Sequence, residues 1–352
     1  MPEVLKTDCR FFRGERPCIP HKEHGVHCTE CQFYDRIGER ILIIKLGAAG
    51  DVIRSTPLLR KLKQNYPHSF ITWLTDHVAF LPTQVDEKLK YSDRILPWLS
   101  LRRFDLCINL DKDRESIAVA EMIMSPRKFG FGIDGYGRPR AMNQLAEAKL
   151  LTGVFDDVSK KNKKSYVQEI FEICGFEFRD EEYIVQYHSE RKWEFEGKHP
   201  IVGLNTGCGG RWPSRLWPVA YWCDLAKRLR DSGVEVILLG GPEEVERNEE
   251  IHRIAGGKYF GVLPIQDFIG LVDQCDVVVT QVTMTLHLAL GLKKKVVLLN
   301  NIFNKNEFEM YGLGIILEPE RPCGCYYSPD CPHESMKSIS PQNVFVAIRN
   351  FV

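Results

Sequence analysis

The sequence lacks a net charge, since 47 Lys and Arg residues balance 47 Asp and Glu across 352 positions. No global field therefore steers the chain toward nucleic acid or an anionic surface, and no nucleic-acid partner is expected. It also lacks any run of about 18 apolar residues, the length a membrane-spanning helix needs, and no charged-then-apolar leader opens it. These absences predict a cytoplasmic protein with no transmembrane segment, compatible with peripheral membrane contact. Residues 1–40 lack apolar periodicity as well, so burial alone cannot order them.

What those 40 residues do have is cysteine. Cys9, Cys18, Cys28 and Cys31 fall within them, with His21, His24 and His27 between. The Cys28-x-x-Cys31 pair can clip one tetrahedral ion with Cys9 and Cys18 as the second half. Zinc is the default ion and iron the alternative, because a sulfur-rich site suits both. A loosely ordered arm with reduced thiols is the competing reading. A redox Cys-x-x-Cys is disfavoured because no strand precedes it and no helical pattern follows. Cys323, Cys325 and Cys331 near the other end are rival ligands.

With 44% hydrophobic residues the chain can bury two cores. From residue 41, strands and helices alternate: ILIIKL, a helix ending near Tyr66, FITWLT, RILPW, DLCINLD, a helix from Glu115 to Met124, and KFGFGI. This is the pattern of a parallel sheet. The Lys160-Lys161-Lys163-Lys164 run reads as a solvated face, with a grip on an anionic acceptor as the alternative. A charged stretch between Tyr183 and His199 breaks the periodicity, and a second alternation follows it: IVGLN, a helix from Pro218 to Arg230, VEVILLGG, a helix over Glu243 to Ile254, a short strand around Phe260 to Leu263, a helix from Asp267 to Gln274, DVVVT, a helix from Thr283 to Gly291, and KKVVLLN. The expectation is α/β throughout, with a metal-binding extension over 1–40 and Rossmann-like domains over 41–190 and 191–352. The final helix is free in this reading to pack back on the first domain.

The first domain is organised around ILIIKLGAAGDVIRSTP, a buried strand, a glycine turn and a helix start. Such a turn lies outside the carboxyl ends of the strands, where ligands bind, so Asp51 sits either in a cleft or merely as a helix cap. In the second domain, Thr206-Gly207-Cys208-Gly209-Gly210 follows a strand and offers backbone N–H groups to phosphate oxygens. Arg211 and Arg215 stand where planar donors can neutralise a diphosphate. Glu243 and Glu244 follow VEVILLGGP, where a carboxylate can hold ribose hydroxyls or serve as first-turn helix charge.

KLGAAGDVIRSTPLLRKLKQNYP with ITWLT resembles the opening of glycosyltransferase family 9, the bacterial heptosyltransferases, and GRWPSRLWP and TMTLH resemble their donor-domain motifs. The resemblance runs from about residue 41 to 352. It implies a GT-B architecture, two Rossmann-like domains facing a central cleft, and an inverting transfer that needs no catalytic cofactor. By the same resemblance, Asp51 matches the family's general base, and Arg54 with the loop after Asp111 belongs to the acceptor surface. Arg211, Thr283 and His287 match donor-binding positions. Val282 stands where the family has an aspartate that holds the donor sugar, and Met284 replaces a glycine at the same donor-binding turn. The implied donor is a nucleotide diphosphate sugar, ADP-heptose first. The acceptor is a saccharide, a lipid-linked molecule or a protein. The rival function is a non-catalytic nucleotide-sugar-binding or assembly protein that keeps the fold.

Overall fold

The computed structural model describes residues 4–195, 200–320 and 324–352. Strands β1 (Arg40–Ile44), β2 (Phe70–Thr75), β3 (Glu87–Lys90), β4 (Leu106–Asn109), β5 (Lys128–Ile133) and β6 (Pro139–Ala141) form one sheet in the order β3-β2-β1-β4-β5-β6. All pairs are parallel except β5 with β6. Strands β7 (Ile201–Asn205), β8 (Glu235–Leu239), β9 (Lys258–Tyr259), β10 (Val277–Gln281), β11 (Lys295–Leu299) and β12 (Gly314–Leu317) form a second sheet, wholly parallel, in the order β12-β11-β10-β7-β8-β9. The central strands are β-branched and leucine runs covered on both faces: Ile41 to Ile44 and Val277 to Val279 are buried. Together the two sheets make the GT-B arrangement.

In each sheet the strand order reverses at the centre, between β1 and β4 and between β7 and β10. The loops that leave these four strands therefore splay apart and open a crevice at the carboxyl edge. Those loops and the helix starts that follow them carry Ala48 to Asp51, Asp111, Gly207 to Trp212 and Val282 to Thr285.

Proline accounts for two departures from the sequence reading. The single helix expected from Asp51 to Tyr66 is two, Ala49–Ser55 and Leu58–Asn65, with Pro57 at the break. RILPW is no strand: Pro97 occupies the first turn of the Leu96–Ser100 helix, where its missing N–H costs nothing. The short strand expected around Phe260 to Leu263 lies earlier, at Lys258–Tyr259. The final helix, Pro341–Arg349, does not return to the first domain. Val344, Ala347 and Ile348 are buried in one cluster with Trp217, Trp222 and Leu229, and Trp217 Nε1 donates to the Ile339 carbonyl at 2.9 Å.

The amino-terminal segment docks on the first sheet through charge. Arg10 bonds Asp35 at 2.9 Å and the Ser69 carbonyl at 3.1 Å, and it also pairs with Asp86. Asp86 in turn accepts from Lys63 and from the Ile71 amide at the start of β2. One arginine thus ties a segment with little apolar surface to the core.

Candidate active site

The most demanding residue of the first domain is Lys45, whose side chain at the end of β1 is 4% exposed. A buried ammonium must be neutralised where it stands. Asp111, from the loop after β4, pairs with it, and the same carboxylate accepts from the Leu46 and Gly47 amides at 2.6 and 2.9 Å. Asp51 lies 3.5 Å from the Lys45 nitrogen on the other side and 2.8 Å from an Arg54 nitrogen, one turn along the Ala49–Ser55 helix. Arg54 stacks on the Tyr166 ring with its guanidinium carbon 3.6 Å from the centroid.

These neighbours decide the protonation states. Burial alone would raise the Asp51 carboxyl, but Arg54 and then Lys45 outweigh it and hold the group well below the usual carboxylate range. Lys45 stays charged because Tyr166, Asp51 and Asp111 offset its burial.

The second domain meets this cluster at a glycine. A Cβ on Gly50 would come within 2.8 Å of His287 Cδ2, so only glycine lets the Met284–Gly291 helix approach so closely. His287 is pushed down to about 3 by burial and by Arg54, against the pull of Asp51, so its imidazole is neutral at pH 7. Its Nδ1 has no hydrogen-bond partner among the described residues.

Between the two domains is a cavity of about 730 Å³. Its walls bring together Asp51, Gly207, Arg211, Arg215, Glu243, Thr283, Met284 and His287. Thr283 caps the helix that carries His287, accepting from the Thr285 amide at 3.2 Å. Arg211 is exposed over the Trp212 ring and makes no ion pair among the described residues, which leaves its charge for a ligand.

Two expected donor residues behave differently. Thr206 is fully buried, gives its hydroxyl to Asn248 at 2.6 Å, and does not line the cavity; the strand before it carries it into the core. Arg215 lines the cavity, but its guanidinium donates to the Cys208 carbonyl at 2.6 Å, to that of Trp212 at 3.4 Å, and to that of Val282. It braces the glycine loop against the helix start. Glu244 is likewise engaged, accepting from the Gly241 amide at 2.8 Å.

Sequence reasoning missed Lys45, Tyr327 and Glu307. A lysine interrupting the apolar run ILIIKL was the available signal for the first; nothing local marks the other two. Among the described residues the cysteines form no cluster of three or more. Cys9 lies in a bridge to Arg36, Cys18 precedes the Ile19–His24 helix, and Cys28 and Cys31 flank a single tight turn. Among the described residues no group of three or more His, Cys, Asp or Glu is positioned to hold a metal ion. Cys323 lies outside the described residues.

The family model of glycosyltransferase family 9 (heptosyltransferase) matches residues 98–312. The chain belongs to this family. Lipopolysaccharide heptosyltransferase 2 of Escherichia coli (strain K12) is 22% identical over 287 residues, covering 74% of this family 9 chain and 82% of that protein. A glycosyl transferase family 9 structure from Veillonella parvula DSM 2008 superposes with a TM-score of 0.69 at 18% identity, covering 90% of this chain and 97% of that one. The E. coli ADP-heptose lps heptosyltransferase II gives 0.66 at 20% identity, over 89% and 98%. This family 9 glycosyltransferase has, among the described residues, no helix long and apolar enough to cross a membrane.

The charge pairing makes a prediction. Because the folded Asp51 group is lowered, the stability it contributes is present above the ordinary carboxylate value of about 3.9 and is lost only as pH falls through the lower folded value. Arg54→Met removes the largest lowering influence, so a carbon-13 titration should find the Asp51 midpoint raised and acid unfolding beginning at higher pH. An unchanged midpoint would show that Arg54 does not control this carboxylate.

Proposed function

We propose that this family 9 glycosyltransferase transfers a heptose from ADP-heptose to an acceptor hydroxyl with inversion, with Asp51 as general base. The observation that carries the reading is the convergence of Asp51 and the first turn of the Met284–Gly291 helix on one cavity. The acceptor hydroxyl oxygen attacks the anomeric carbon as its proton passes to Asp51. The bond from that carbon to the phosphate oxygen breaks, and ADP leaves with the electron pair. A carboxylate held below its usual range is a weak base. It suits a transfer in which the hydroxyl becomes acidic as the new bond forms.

Arg211 and the helix start at Thr283 supply positive potential for the departing diphosphate. The neutral His287 can donate an N–H to it. At one end, Val262, Leu263 and Phe268 give the cavity an apolar wall suited to a nucleobase. Glu243, which also lines the cavity, offers its carboxylate to the ribose hydroxyls. The two related E. coli proteins named above are heptosyltransferases, which favours heptose as the sugar and a lipopolysaccharide precursor as the acceptor, used in the cytoplasm. No observation favours a non-catalytic binding role.

The four amino-terminal thiols carry a separate proposal, supported by composition. Reduced and outside any disulfide, Cys9, Cys18, Cys28 and Cys31 would close on one structural zinc or iron ion, away from the cavity, by a local rearrangement of their segment.

Asp51→Asn keeps the shape of the side chain and removes its basicity, so turnover of ADP-heptose should fall by roughly 10²-fold or more. Unaltered turnover would remove Asp51 from the mechanism. Arg211→Ala should weaken ADP by about 1.5–3 kcal/mol in titration calorimetry, the range for a hydrogen bond to a charged group. Equal affinity in parent and variant would make Arg211 a surface residue. Elemental analysis of protein purified without added metal should find about one ion per chain, abolished by Cys28→Ser. A metal-free parent with titratable thiols would end that proposal.

A further inference from the structure

Val282 leaves the donor-side helix start without a carboxylate, although the cavity there must receive a sugar covered in hydroxyl groups. Hydroxyls taken out of water need acceptors. Among the described residues four carboxylates line the cavity: Asp51, Glu243, Glu244 and Glu307. Asp51 is committed to Arg54 and Lys45. Glu244 is folded against its own loop, with one oxygen on the Gly241 amide and the other where a Cβ on Gly207 would be only 1.9 Å away. Glu243 is exposed beside Gly210.

Glu307 differs from these. It ends the Lys305–Glu307 turn beyond β11, and one of its oxygens accepts from the Tyr327 hydroxyl. The other has no hydrogen bond among the described residues. Tyr327 holds a φ of 47°, a conformation costly for a bulky side chain that persists only where the surroundings impose it. Its ring packs at 4.9 Å against Phe303, and the Arg215 guanidinium lies 5.4 Å from that same Phe303 ring while bonding the Val282 carbonyl. Glu307 thus connects to the Val282 turn through Tyr327, Phe303 and Arg215, and both line the same cavity. On its other side its charge acts on Arg54, the partner of Asp51. Glu307 therefore shares one cavity with both the helix start at Thr283 and Asp51, the two groups between which a donor sugar would lie in the reading above.

We propose that Glu307, oriented by Tyr327, recognises the hydroxyls of the donor sugar in place of the carboxylate absent at Val282. This rests on the reading of the cavity as a nucleotide diphosphate sugar site. The two oxygens divide the work: the Tyr327 hydroxyl fixes one, and the other accepts from the sugar. Tyr327 is a positioning residue here and Glu307 a specificity-determining one.

Calorimetric titration of the full chain with ADP and with ADP-heptose tests it. Glu307→Gln should leave ADP binding within about twofold of the parent while weakening ADP-heptose by roughly tenfold or more, as loss of a charged acceptor predicts. Adding Val282→Asp to that variant should restore most of the loss. Tyr327→Phe, which keeps the carboxylate and frees its oxygen, should show a smaller loss confined to ADP-heptose, and it serves as the test if Glu307→Gln lowers the melting temperature. Equal weakening of both ligands would make Glu307 a wall of the cavity, and no weakening of either would make it a bystander; each result overturns the proposal. A parent protein that binds neither ADP nor ADP-heptose would overturn the reading of the cavity itself.

Discussion

The buried ammonium of Lys45 is the constraint from which the rest of the first domain's site follows. A cation at the end of a fully covered strand is tolerated only if carboxylates meet it there, and removing one partner would strand a charge in a medium that solvates it poorly. Asp111 meets it from the loop after β4 and Asp51 from the first turn of the Ala49–Ser55 helix. The requirement therefore couples β1 to β4 across the point where the strand order reverses. Asp111 does more than neutralise: its second oxygen collects the Leu46 and Gly47 amides and fixes the path of the glycine turn. Asp51 is placed by that path and then held by Arg54.

The second domain solves the same problem with a different group. Arg215 is buried, and its donors go to three backbone carbonyls. It takes the glycine loop after β7 and the helix start after β10 and locks them together, which preorganises the cavity wall without occupying it. Asn205 reinforces the junction, reaching Thr280 at 3.0 Å and Thr283 at 3.3 Å. A charged residue beside the glycine loop thus acts as scaffold, and the exposed Arg211 is left with the unspent charge. The two preorganised edges meet at Gly50 and His287, where the absence of a side chain on one allows the imidazole of the other to enter.

Much of the fold was legible because its signals are local. ILIIKL and DVVVT announce strands covered on both faces, GAAGD and NTGCGG announce turns at strand ends, and apolar periodicity gives the Val219–Asp231 and Val245–Ala255 helices nearly to the residue. RILPW misled because an apolar run of that length does not distinguish a strand from a helix turn started by proline. The destination of the final helix was illegible for another reason: its apolar face fits any partner of the right shape, and only the cluster around Trp217 and Trp222 determined which one.

The sequence by itself determined the α/β class, the two alternations, and the family through motifs whose spacing is fixed by backbone turns. Asp51, Arg211, Thr283 and His287 were named from those motifs, and all four line the cavity. Tertiary structure alone decided which side chains have spare bonding capacity. Thr206 and Arg215 stand in the same motifs, yet their groups are spent on Asn248 and on backbone carbonyls, and Glu307 and Tyr327, some 20 positions apart, become a pair only when their loops fold over one cavity. Spacing along a chain records where the backbone can turn; whether a charge is satisfied or waiting for a ligand depends on neighbours that come from distant strands.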